Sequence, residues 1–121
     1  MKVPVKLHYR LWLEHDGDYV LGNGVFTLLQ RIEEKGSLKK AAESLGIPYR
    51  GAWGRIRRAE EAMGVSLLES PSDRQKGMKL SEEAKKILET FQALDCACKA
   101  SLQEQVKKMD AAIFEIVEVG R

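Results

Sequence analysis

Four arginines, Arg50, Arg55, Arg57 and Arg58, fall within nine residues that contain no acid. A guanidinium is a rigid, permanently charged fork of N–H donors. It suits the paired acceptors of a phosphate or of a guanine edge better than it suits reaction chemistry. Glu60 and Glu61 follow further along, so the basic character belongs to one end of the segment. Two glycines, Gly51 and Gly54, lie among the arginines and would let a partner approach the backbone closely, at about 1 kcal/mol of helix stability each.

These residues need a helix to align them, and the flanking sequence supplies one. Ser37 directly precedes the apolar-periodic set Leu38, Ala41, Ala42, Leu45 and predicts an N-cap. Ala41 and Ala42 are small enough for a second helix to cross close by. Gly46 predicts the stop, Ile47 a core plug, and Pro48 the start of the next helix. That second helix buries Ala52, Ile56, Ala59 and Met63 by spacing and ends at Gly64. The product is a helix-turn-helix whose second helix is basic over its N-terminal half.

The run from Ser37 to Glu69, SLKKAAESLGIPYRGAWGRIRRAEEAMGVSLLE, resembles the winged helix-turn-helix of LysR-type regulators and of the molybdate-responsive (ModE-type) regulators. Ile47–Trp53 is similar to the ModE-type helix opening, and Arg55–Gly64 to the LysR-type pattern; the likeness covers roughly residues 20–95. It implies double-stranded DNA as the partner. Tyr49 and Arg50 would meet base edges. Gly51 and Gly54 would permit close approach, Arg55 and Arg58 would reach phosphates or flanking bases, and Ser37 and Lys39 would touch the DNA backbone. Arg57 lies nearer the flank, and the ModE-type counterpart of Trp53 implies a mainly structural role.

Further signals surround this centre. Val3, Val5, Leu7, Tyr9, Leu11 and Leu13 alternate with polar neighbours. With the Asp16-Gly17 turn signal and Tyr19–Leu21 they predict an N-terminal hairpin over residues 1–22. Leu67–Glu69 and Met78–Leu80 predict a second hairpin, a wing over residues 67–80, with Arg74 and Lys76 at its tip for phosphates. Ser81 caps a pattern that runs to residue 119 without Gly or Pro. A helix over 81–119 is too long to cover on so small a domain. Its stripe of Ile87, Leu88, Phe91, Leu94, Cys98, Leu102, Met109 and Ile113 predicts a homodimer, the alternative being a helix folded back on its own hairpin.

Bulk properties narrow the classes. At 121 residues there is room for one core, and the net charge of +2 is small. Its distribution is uneven: residues 48–80 carry seven basic and four acidic side chains, and residues 81–121 carry six and eight. No leader pattern and no apolar run of membrane length is visible, which predicts a cytoplasmic protein. Cys96 and Cys98 point to different faces of a helix and read as small buried hydrophobes rather than metal ligands. No Gly-rich phosphate loop, metal-ligand spacing or nucleophile–base arrangement is present, so neither catalysis nor a cofactor is expected.

The sequence therefore predicts a mainly α fold with small β-hairpins: a winged helix-turn-helix over residues 1–80 and a dimerisation helix over 81–119. The expected activity is sequence-specific DNA binding by a dimeric regulator. The competing expectation is a winged helix that uses the same arginines on an acidic protein surface.

Overall fold

The computed structural model describes residues 2–70, 77–110 and 112–121. In chain order the elements are β1 (Val3–His8), β2 (Leu13–His15), β3 (Asp18–Leu21), α1 (Asn23–Lys35), α2 (Leu38–Leu45), α3 (Tyr49–Met63), β4 (Leu68–Glu69), β5 (Lys79–Leu80), α4 (Glu82–Lys108) and β6 (Phe114–Gly120). They fall into two compact units, Trp12–Thr90 and the stretch up to Leu11 together with Phe91–Arg121.

The larger unit is the winged helix-turn-helix. Its core is built from Phe26, Leu28, Leu29, Ile32, Leu38, Ala52, Ile56, Leu67 and Leu80, each no more than 2% exposed. Burying a side chain of this size contributes about 1.5–3 kcal/mol, so these contacts fix how α1, α2 and α3 cross. The helix ends follow the predicted local chemistry. Ser37 Oγ accepts from Lys40 N at 3.2 Å and opens α2, while Gly46 (φ 67°) closes it in the left-handed region. Gly64 (φ 72°) closes α3 by donating its N–H to Glu60 O. Ser81 Oγ accepts from Ala84 N at 3.0 Å and starts α4, with Glu82 and Glu83 in its first turn. The wing's strands are present as β4 and β5, paired antiparallel.

Two sequence expectations are corrected. The alternation from Val3 to Leu13 is not one strand of an N-terminal hairpin. β2 and β3 form a short hairpin through Asp16 (φ 50°) and Gly17 (φ 83°), whereas β1 runs parallel to β6, the last strand of the chain. Alternation specifies an extended segment with one apolar face but does not name its partner. Likewise the helix predicted over 81–119 ends at Lys108, and Phe114–Gly120 is strand. Lys107 and Lys108 complement the negative helix end. Beyond it, Ile116, Val117 and Val119 are β-branched and favour a pleated surface.

The smaller unit contains β1, β6 and the α4 segment from Phe91. Lys6 pairs with Glu118 across the strands at 3.6 Å, and a bulge interrupts the ladder after Val5. Tyr9 donates to Asp95 Oδ1 at 2.7 Å, and Arg121 Nη1 lies 3.6 Å from Asp95 Oδ2. Partial burial, the Asp95 hydrogen bond and the Asp95 charge together push the Tyr9 phenol up to about 12.

Candidate DNA-reading surface

The second helix of the motif, α3, buries Ala52, Ile56 and Ala59 and turns its remaining faces outward. Met63, expected in the same buried row, is only half-buried at the last turn. Because successive residues advance by 100°, Arg50, Gly54, Arg57, Arg58 and Glu61 lie opposite the buried row, and Gly51 and Arg55 flank it. Arg50, Arg55, Arg57 and Arg58 are all exposed, and no acid precedes Glu60 on the helix. Gly51 faces open space. Gly54 has only the Arg58 guanidinium nearby: Arg58 folds back one turn, so its Nη1 would lie 3.5 Å from a Cβ at Gly54. Arg55 and Arg58 also line a shallow cavity of about 410 Å³ beside Tyr19 and the start of α1 at Gly24 and Val25.

The second flank of α3 carries an arrangement the sequence did not announce. Tyr49 stacks on Trp53, ring centroids 6.5 Å apart and planes 16° from parallel. Arg57 Cζ sits 5.4 Å from the Trp53 ring centroid, and Arg57 Nη1 lies 3.6 Å from Glu60 Oε1. Glu60 in turn accepts from the backbone N–H of Leu67 at 2.8 Å, just before β4. Trp53, expected from its ModE-type counterpart to pack beside the first helix of the pair, is half-buried, and its ring neighbours here are Tyr49 and Arg57 of its own helix. The legible signal was the i, i+4, i+8 spacing of Tyr49, Trp53 and Arg57.

Other predicted site residues separate. Ser37 is 5% exposed and its hydroxyl is occupied as the α2 cap, so it is not offered to a partner, whereas Lys39 is exposed. Arg74 and Lys76, the expected wing-tip cations, lie outside the described residues. Along the predicted dimer stripe, Leu88 and Phe91 are already buried within the chain at 5% and 1%. Ile87, Cys98 and Leu102 are half-buried and Leu94 is exposed. Met109 and Ile113 stand beyond the end of α4. Cys96, expected to be buried, is exposed, because this stretch of α4 has a narrow buried face.

Three helices around one core, a tight turn between the second and third, and a two-stranded wing define a winged helix-turn-helix of the DNA-binding regulator class. Residues 25–85 match the model of the bacterial regulatory helix-turn-helix protein, LysR family, and the chain belongs to that family. It is similar to the DNA-binding domain of CbnR in the CbnR DBD–DNA complex (TM-score 0.55, 20% identity, covering 71% of this chain and 97% of that one). It also resembles full-length LysG from Corynebacterium glutamicum (TM-score 0.52, 24% identity, 70% and 29% coverage). A third likeness is to a full-length AphB variant (TM-score 0.50, 19% identity, 74% and 30% coverage). At these identities the likeness shows the fold, and the chain spans under a third of the two full-length regulators. No curated protein sequence matches it. Among the described residues, no helix is long and apolar enough to cross a membrane.

Proposed function

We propose that this chain binds double-stranded DNA sequence-specifically as a homodimeric transcriptional regulator, acting in the cytoplasm. The observation that carries the reading is the exposed surface of α3, where Arg50 and Arg58 stand around Gly54 on the outward face and Arg55 with Gly51 on its flank, with no acid before Glu60. A basic helix face stripped of side chains at two positions suits a major groove, where backbone proximity brings Arg50 to a guanine edge. Such a bidentate contact is worth about 1–3 kcal/mol of discrimination. Arg55 and Arg58 supply phosphate contacts, and Lys39 extends the positive surface onto α2. The CbnR neighbour being a DNA complex supports the same reading.

Dimerisation rests on α4. Its 27 residues outrun what the winged helix covers, and Leu94, with half-buried Cys98 and Leu102, remains for a second copy. The ModE-type likeness of Ile47–Trp53 adds an aromatic helix opening to the LysR-type frame, and no effector is assigned from it.

The test is selection of bound fragments from a random double-stranded DNA pool, repeated with Arg50→Ala. Recovery of a dyad-symmetric site, weakened about tenfold or more by the substitution, is the expected result. No enrichment at low salt with folded protein would overturn the reading and favour an acidic protein partner.

A further inference from the structure

Tyr49 is the first residue of α3, is 48% exposed, and stands at the end of the helix that would enter the groove. An exposed tyrosine at a helix start ordinarily samples several rotamers, and ordering it on binding costs conformational entropy. Here the ring is braced. One face stacks on Trp53, Trp53 is held by the Arg57 guanidinium, and Arg57 is paired with Glu60. Glu60 is itself fixed, its side chain 14% exposed and its Oε2 bonded to the N–H of Leu67, a residue wholly buried in the core. Each link is modest, but together they run from the hydrophobic core to the tip of the helix. The braced element is a neutral phenol whose ring is apolar apart from its hydroxyl, and the apolar feature in the major groove that a ring can meet is the 5-methyl group of thymine.

We propose that Trp53, Arg57 and Glu60 form a strut that holds the Tyr49 ring at the opening of α3 to contact a thymine 5-methyl group, next to the base contacted by Arg50. This rests on the DNA-binding reading above and assigns it a second specificity element: Tyr49 reads by shape while Arg50 reads by hydrogen bonds. Trp53, Arg57 and Glu60 are positioning residues.

The experiment uses the full chain and the duplex recovered by pool selection, with each thymine replaced in turn by deoxyuridine, which removes only the methyl. Loss of one buried methyl contact weakens binding about fourfold, and this is expected at one thymine per half-site. In Tyr49→Ala and in Arg57→Gln the deoxyuridine penalty at that thymine falls below about twofold, whereas changing the Arg50-contacted guanine still costs its full discrimination. Glu60→Gln keeps an acceptor for Leu67 but removes the ion pair. It shows the same selective loss and serves as the second variant should Arg57→Gln fail to fold. In a Trp12→Phe background Trp53 is the remaining tryptophan, and Arg57→Gln shifts its emission.

The strut is overturned if deoxyuridine is tolerated at every position by the unsubstituted protein, or if the penalty survives Arg57→Gln and Glu60→Gln intact. A protein that selects no sequence overturns the DNA-binding reading and the strut together. A selected sequence without a methyl effect overturns only the strut.

Discussion

Tyr9 donates its phenolic hydrogen to Asp95 across 86 residues of sequence, at 2.7 Å to Oδ1 and 3.0 Å to the backbone oxygen. The bond ties the residue that follows β1 to α4. Arg121 beside the same carboxylate brings the end of β6 to this point.

That bond makes stability sensitive to alkali. The phenol is pushed up to about 12 from its ordinary 10, first by burial and then by Asp95. Below pH 10 the proton is held in both folded and unfolded chains, and the contribution is complete. Between pH 10 and 12 the unfolded chain releases the proton while the folded chain retains it, so stability falls through that window. Tyr9→Phe loses about 1 kcal/mol at neutral pH and shows a smaller decline from pH 10 to 12. Urea unfolding of both proteins at pH 7, 9 and 11 measures this, and parallel declines would refute it.

Glu60 is predicted to matter more for folding than its place on a helix surface suggests. It satisfies the backbone N–H of Leu67 at the point where the chain leaves α3 for the wing. Glu60→Ala orphans that donor and costs about 1–3 kcal/mol, while Glu60→Gln keeps an acceptor and costs under about 1 kcal/mol. Equal unfolding midpoints for the two variants would show that water replaces the carboxylate without loss.

Ser81 and Ser37 are equally buried at 5% but do unequal amounts of bonding. Ser37 caps α2 through one acceptor bond, whereas Ser81 caps α4 and also donates to Ser66 O at 2.6 Å. Ser81→Ala is expected to destabilise by about 2 kcal/mol and Ser37→Ala by about 1 kcal/mol. Thermal unfolding followed by circular dichroism ranks the two, and the reverse order would contradict the bond assignment.

What the sequence made legible was whatever depends on neighbours within one turn. Ser37, Gly46, Gly64 and Ser81 mark helix boundaries because caps are local chemistry, and Asp16-Gly17 marks its turn for the same reason. Strand partnership is non-local: nothing in Val3–His8 points to a partner over a hundred residues away. Phe114–Gly120 carried a usable signal, since Glu115 alternates with Phe114 and Ile116 in a β-branched run. The continuing apolar stripe of α4 masked it. On α3 the basic face was legible from charge spacing. The diversion of Ser37 into capping was not, because one hydroxyl can serve a cap or a phosphate equally well until burial decides.

Gly51 and Gly54 give the sharpest separation of stability from function. Both are helical and neither is in a left-handed backbone; a Cβ at Gly51 meets nothing within 4 Å, and one at Gly54 meets only the Arg58 guanidinium at ordinary contact distance. Folding alone would therefore prefer alanine, and Gly51→Ala and Gly54→Ala should each stabilise the protein by about 0.5–1 kcal/mol. If the glycines are there to let the helix backbone approach a groove, the same substitutions weaken binding to the selected duplex, more at Gly54, which lies on the outward face beside Arg50 and Arg58. Paired measurements of unfolding midpoint and duplex affinity decide the matter. Higher stability with weaker binding supports close approach of α3 to DNA, whereas higher stability with unchanged binding removes these two glycines from the reading surface.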